Sequence, residues 1–244
     1  MKPIIVIPAR MQSKRFPGKP MVLINGKPML QHVIEKAILT KIGKVLVACC
    51  DDTIVKLLED IGVEYIVTNK KLISGTDRVQ AALKEYDKKK KYSLIINLQA
   101  DLPNIVPKTI SQLYELAKMP NIQIATLASK IIGIEKTNDP NVVKAVISFT
   151  KKNIGKAIYF SRSRIPYGSN FFYEHIGLYA FKRDVLDYFV TLKPSKLEIT
   201  ESLEQLRALE NGINIDIRVV DDAPVGIDTF EDLNKLKENK VEKK

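Results

Sequence analysis

No glycine-rich phosphate loop follows the first apolar segment of this 244-residue chain. A Walker loop needs G-x-x-x-x-G-K-[ST] and a dinucleotide fingerprint needs G-x-G-x-x-G, yet between Pro8 and Pro20 the only glycine is Gly18. P-loop hydrolysis and hydride transfer therefore lose ground. No apolar run approaches the ~18 residues that cross a bilayer, and Met1-Lys2-Pro3 leads into a strand-length segment rather than a secretory leader. The expectation is a cytoplasmic protein without membrane insertion. The two cysteines are adjacent, Cys49 and Cys50, a spacing that suits neither an ordinary disulfide nor a four-ligand metal site. Buried free thiols are expected.

Arginine is also scarce: eight of the 39 basic residues, the other 31 being lysine. The net charge of +11 (39 basic minus 28 acidic) invites a nucleic-acid-binding reading through counterion release. The lysines, however, are scattered over helix faces, the 88–91 run and the tail. Arg10, Arg15, Arg78, Arg162 and Arg164 instead fall in short motif-like segments, where bidentate recognition of phosphate or carboxylate would need them. They gather with carboxylates rather than with aromatic stacking residues, so nucleic acid is not the expected partner.

A chain of this length with 45% hydrophobic residues can bury a sizeable core. β-Branched apolar runs at 4–7, 44–48, 65–68, 94–98 and 122–128 alternate with amphipathic stretches such as 29–40 and 53–61, the second capped by Asp51 or Asp52. This alternation predicts a mostly parallel, mixed α/β sheet flanked by helices. Further strands are expected at 142–148, 159–160, 176–181 and 213–220, and helices at 184–192, 200–211 and 229–238, the last capped by Asp228 or Thr229. One domain, residues 1–244, is expected, with a smaller lobe at about 133–212.

The chemistry gathers after the strands, where ligands bind in open α/β sheets. Arg10, Arg15 and Lys19 place fixed positive charge directly after the first strand, with Ser13 as a neutral donor, which suits a polyphosphate. Ser74-Gly75-Thr76-Asp77-Arg78 opens a helix: a small, hydroxyl-rich turn that reads a planar base through its main chain or simply caps the helix. Asp101 ends the strand-like NLQADLP (97–103), and Asp228 precedes the last helix. The two carboxylates suit Mg²⁺ completed by phosphate oxygens, and either also suits an N-cap. A third cluster, YFSRSRIPY (159–167), HIGLY (175–179) and ESLEQLR (201–207), suits a carboxylate-bearing, many-hydroxyl ligand such as an acidic sugar. Within it, His175 could equally be a structural histidine, and Glu204 and Arg207 could pair with each other.

In order, IPARMQSKRFPGKP (7–20), GKPMLQHV (26–33), SGTDR (74–78), NLQADLP (97–103), DPNVVK (139–144), YFSRSRIPY (159–167), HIGLYAF (175–181), ESLEQLR (201–207) and IDTFEDL (227–233) closely resemble the 3-deoxy-manno-octulosonate cytidylyltransferases, or CMP-Kdo synthetases. The resemblance spans nearly the whole chain. It implies a Rossmann-like nucleotidyltransferase fold with a smaller sugar-binding and dimerisation lobe, a homodimer, and activation of Kdo by CTP to CMP-Kdo and pyrophosphate for lipopolysaccharide assembly, with Mg²⁺. Carried onto matching positions, Ala9, Arg10, Ser13, Arg15, Lys19, Ser74, Gly75 and Arg78 would bind the nucleotide, and Arg15, Lys19 and Asp101 would be catalytic. Gln99, Arg164, His175, Glu204 and Gln205 would receive the sugar acid, and Asp101 and Asp228 the metal. Another acidic sugar, sialic acid or an amino analogue of Kdo, is the nearest alternative. The chain departs from the family at Ala100 and Leu102, where Gly and Glu are usual, at Cys50 before Asp51-Asp52, and at Gly168-Ser169-Asn170. The missing carboxylate beside Asp101 is expected to alter metal or sugar affinity.

Overall fold

The computed structural model describes residues 1–13, 15–221, 223–227 and 229–241. Its first half runs β1 (Pro3–Pro8), β2 (Leu23–Ile24), β3 (Lys27–Pro28), α1 (Met29–Leu39), β4 (Lys44–Cys49), α2 (Asp52–Asp60), β5 (Tyr65–Val67), α3 (Gly75–Tyr86), β6 (Leu94–Asn97) and α4 (Pro107–Ala117). Then come β7 (Ile124–Lys130), α5 (Ile134–Asn138), β8 (Lys144–Lys151), β9 (Ile154–Ser161), β10 (Tyr173–Lys182), α6 (Arg183–Phe189), α7 (Lys196–Glu201), α8 (Leu206–Glu210), β11 (Ile215–Val220) and α9 (Phe230–Val241). The chain divides into two compact units, one of Lys2–Tyr92, Asn97–Ile110 and Pro224–Lys244, the other of Met1, Ser93–Ile96 and Ser111–Ala223.

In the first unit β1 pairs parallel with β4, Ile4 opposite Lys44, and β4 pairs parallel with β5, Val47 opposite Tyr65. Ile4, Ile5, Val6 and Ile7 are all fully buried, which is why both faces of that strand are apolar. Helix α1 turns Met29, Leu30, Val33, Ile34 and Ala37 inward at helical spacing. A second apolar cluster joins Phe16, Ile24 and Met29 to Ile227, Leu233 and Leu236, and Phe230 meets Phe16 edge-on with ring centroids 5.7 Å apart. The loop after β1 is thereby packed against α9. That helix starts with a reciprocal cap, Thr229 Oγ1 accepting from Asp232 N (3.2 Å) while Asp232 Oδ2 accepts from Thr229 N (2.8 Å).

In the second unit the strand order is β6-β10-β7-β11-β9-β8. β7 and β11 run parallel there. β10 with β7, β11 with β9, and β8 with β9 are antiparallel. Residues 152–153 link β8 to β9 too tightly for a crossover helix, so these neighbours must be antiparallel. β10 also meets β8 at Glu174 and Lys144, which curls this end of the sheet onto itself.

One expected helix is corrected. The apolar spacing over 200–211 predicts a single helix, whereas α7 and α8 are separate because Ser202 adopts a left-handed conformation, φ 54° and ψ 47°. Leu203 and Leu206 are both buried across this turn, so the spacing survives although the helix does not. Cys49 and Cys50 are free and buried, and burial pushes the Cys49 thiol up to about 11, which leaves it inert.

Candidate active site

The strand β1 carries the chain into a loop that closes on itself. Gly18 takes φ 74°, a left-handed angle that glycine adopts without strain, and its N–H donates to Met11 O at 2.9 Å. Asp51 does not cap α2 with its side chain, the role its position suggests. Its Oδ2 instead accepts from Met11 N at 2.9 Å and from the Cys50 thiol, and so pins the loop beside the end of β4. Arg10 and Arg15 remain exposed, and the Lys19 ammonium reaches Asp101 Oδ2 at 2.8 Å.

These residues line a pocket of about 380 Å³. Every expected nucleotide-binding residue borders it: Ala9, Arg10, Ser13, Arg15, Lys19, Ser74, Gly75 and Arg78. Asp101 and Gln99 join them. Ser74 performs the cap that its position allows, accepting from Asp77 N at 3.0 Å, so its hydroxyl orders the start of α3. At Gly75 a Cβ would lie 3.3 Å from Pro8 Cγ and 3.4 Å from Gln99 Oε1, a squeeze that explains the absent side chain. Arg78 is fully buried. Its Nη1 donates to Thr68 Oγ1, which passes its own proton to Cys49 O at 2.8 Å, while Nη2 has no partner among the described residues. A buried guanidinium nitrogen left open at a pocket wall is a donor prepared for a ligand. Gln99, expected to meet the sugar acid, donates to Asn97 Oδ1 at 2.9 Å and thus shares the wall used by the nucleotide residues.

Asp101 is partly exposed at the pocket edge, its carboxylate paired with the Lys19 ammonium. Asp228, the other expected metal ligand, lies outside the described residues. Its neighbour Ile227 donates its N–H to Asp101 O at 3.0 Å, and Val225 N donates to Asn104 Oδ1 at 3.1 Å. Among the described residues no three His, Cys, Asp or Glu side chains cluster as a metal cage.

The remaining expected residues lie in the second unit. Glu204 and Gln205 border a small cavity with Tyr179, Phe181 and Phe189. Gln205 Nε2 is buried there without a hydrogen bond among the described residues. The Tyr179 hydroxyl is held protonated, chiefly by burial and secondarily by Glu204. His175 sits one ring away, its centroid 5.4 Å from that of Tyr179 and 4.8 Å from that of Phe160, and burial lowers its pKa to about 3. Arg164 is exposed, its guanidinium 4.9 Å above the Phe172 ring, and is not part of the cavity lining. Arg207 does approach Glu204 at 3.9 Å, but its close partner is Glu198, at 2.8 Å from Nε.

Sequence reasoning assigned no role to Lys144, and it set Arg162 and Glu201 in segments suited to ligand recognition, whereas here they frame the lobe. The Lys144 side chain is buried and donates to three carbonyls, Asp139 O (2.9 Å), Val142 O (2.6 Å) and Arg162 O (2.6 Å). Burial lowers its pKa. Glu201 accepts from Ser161 Oγ (2.6 Å) and Arg162 N (3.0 Å), while the Arg162 guanidinium donates to Glu201 O (2.9 Å) and Pro140 O (3.0 Å). Arg162 is therefore committed to the main chain, and the network joins the turn at 139–142, the end of β9 and the end of α7. DPNVVK and ESLEQLR contain Lys144 and Glu201, but only the fold reveals their partners.

A strand-to-loop cation cluster facing a helix N-terminus across a pocket defines a nucleotidyltransferase-type site on a mixed α/β sheet. The cytidylyltransferase family signature matches residues 4–223. The 3-deoxy-manno-octulosonate cytidylyltransferase of Bartonella tribocorum is 44% identical over 97% of this chain and 98% of its own length, and that of Paramagnetospirillum magneticum is 42% identical over 97% of each. A solved structure of CMP:2-keto-3-deoxy-manno-octonic acid synthetase complexed with CTP superposes with a TM-score of 0.89 at 38% identity, covering both chains completely. UDP-glucose pyrophosphorylase complexed with UDP-glucose shares the fold, with a TM-score of 0.73 at 14% identity over the full length of both chains. The chain belongs to the 3-deoxy-manno-octulosonate cytidylyltransferase family.

Lys144→Met would strand three carbonyls while keeping the packed stem. The unfolding free energy measured by urea titration should fall by about 3 kcal/mol.

Proposed function

We propose that this enzyme activates Kdo with CTP, releasing pyrophosphate and forming CMP-Kdo for lipopolysaccharide assembly. The observation that carries the proposal is the convergence of Arg10, Arg15, Lys19 and Asp101 with Ser74, Gly75 and Arg78 at one pocket. In this reading Arg10, Arg15 and Lys19 hold the triphosphate, Ser13 and the Ala9 main chain add neutral contacts, and the Ser74–Arg78 turn reads cytosine. The open Arg78 Nη2 supports that last assignment.

Reaction at the α-phosphorus needs in-line placement and charge neutralisation more than a covalent nucleophile. Arg15 and Lys19 would stabilise negative charge growing on the departing pyrophosphate. With CTP bound, Lys19 would exchange its Asp101 contact for phosphate oxygens, freeing the carboxylate. Asp101 fits Mg²⁺, a cation held by one or two carboxylates plus phosphate oxygens, and Asp228 is the proposed second ligand. When bound, the ion would supply Lewis acidity toward the phosphate and the attacking hydroxyl. Arg164 would pair with the sugar carboxylate, and His175, Glu204 and Gln205 of the same unit are the proposed contacts to the rest of the sugar acid; Gln99 is the proposed contact in the first unit. A homodimer that forms through the 133–212 lobe is part of the proposal.

Pyrophosphate release should be fast with CTP and Kdo, and slow with CTP and sialic acid or an amino analogue of Kdo. The reverse order would reassign the sugar, and no release with any sugar acid would reject the reaction. Asp101→Asn should lower kcat by two to four orders of magnitude while CTP affinity, read by calorimetry, changes less than about threefold. Near-normal turnover would remove Asp101 from the metal site. Arg164→Ala should raise the KM for Kdo roughly tenfold or more through loss of a charge-assisted contact, leaving the KM for CTP unchanged. An unchanged KM for Kdo would exclude Arg164 from the sugar site.

A further inference from the structure

Thr126 lies fully buried on β7, opposite an irregularity where the register of β10 slips between Ile176 and Tyr179. Its hydroxyl touches three partners: Leu178 O at 2.8 Å, Ile176 O at 3.2 Å and His175 Nε2 at 3.0 Å. A threonine hydroxyl has one proton and two lone pairs. Both carbonyls can only accept, and an oxygen–oxygen contact of 2.8 Å with no proton between the atoms would be repulsive, so the proton goes to Leu178 O rather than to Nε2. The hydroxyl oxygen must then accept from the imidazole, which requires a proton on Nε2.

We propose that Thr126 is a positioning residue that locks His175 as the neutral Nε2–H tautomer, so that Nδ1 meets the sugar acid as a hydrogen-bond acceptor for a hydroxyl and not as a donor to its carboxylate. The role toward the sugar rests on the functional reading above, whereas the tautomer rests on geometry alone. Nδ1 makes no hydrogen bond among the described residues, and the rings of Phe160 and Tyr179 both pack against the imidazole, with centroids at 4.8 and 5.4 Å. Burial disfavours the imidazolium, in keeping with a neutral ring. An acceptor nitrogen repels a carboxylate and rewards a hydroxyl. The cationic Arg164 is thereby left to hold the acid group, and His175 contributes to choosing a polyhydroxylated substrate.

The chain carries an internal control. Its only other histidine, His32, places Nε2 at 2.7 Å from Ile24 O, a pure acceptor, so His32 must carry its proton on Nε2. In protein labelled with ¹⁵N in the imidazole rings, both histidines should show a protonated Nε2, and His175 should also show a bare Nδ1 at neutral pH. A protonated Nδ1 on His175, as tautomer or as cation, would overturn the inference. Thr126→Val removes the acceptor and should raise the KM for Kdo roughly three- to tenfold while kcat and the KM for CTP hold, and Thr126→Ser should restore it. An unchanged KM for Kdo in the valine variant, or a serine variant as impaired as the valine one, would overturn the role. Should the valine variant not fold, the serine variant and the wild-type spectrum still decide the matter. Wild-type protein that turns over no Kdo would reject the functional reading and with it the sugar contact, but would not alter the nitrogen shifts.

Discussion

Arg10, Arg15 and Lys19 repel one another, and the loop that carries them must be held in place by something other than the polyphosphate it would bind. Four features do this. Gly18 supplies the left-handed turn, Asp51 receives the Met11 N–H, Phe16 sinks into the cluster with Ile227 and Leu233, and Asp101 neutralises Lys19. Burying one phenylalanine contributes on the order of 2 kcal/mol, more than a screened surface repulsion costs. The loop is thus ordered in advance, and little of a ligand's binding energy need go into shaping it.

The same economy governs the other polar side chains. A buried charge is tolerated only when its hydrogen bonds are made, and most here are made to main-chain groups. Lys144 and Arg162 are fully engaged with carbonyls, and Thr68 hands its proton to Cys49 O. Against that background the open groups stand out: Nη2 of Arg78 in one unit and Nε2 of Gln205 in the other, each at a cavity wall. Two arginines two residues apart, Arg162 and Arg164, serve different ends because one is tied to Glu201 and Pro140 carbonyls while the other lies exposed over an aromatic face.

Much of the fold could be read from the chain. The strands at 4–7 and 44–48 and the helix over 29–40 came within a residue or two of their observed bounds, because buried β-branched runs and helical apolar spacing are local signals. The cations after the first strand, the turn at Ser74 and the carboxylate Asp101 were legible for the same reason: each motif is contiguous. The helix expected over 200–211 failed because apolar spacing cannot reveal a single left-handed residue, Ser202, in its midst. Thr126 gave no signal at all, since its significance depends on a strand 49 residues away.

By itself, then, the sequence determined the alternation of strands and helices, the cationic loop and the family to which the chain belongs, all of which rest on short-range patterning and contiguous motifs. Only the tertiary structure decided which arginine is free and which is committed, that Asp51 pins a loop instead of capping its helix, and where the proton on His175 resides. Those properties belong to pairs of groups distant in the chain, and a hydrogen bond acquires its donor and its acceptor only when folding brings both to within 3 Å or so.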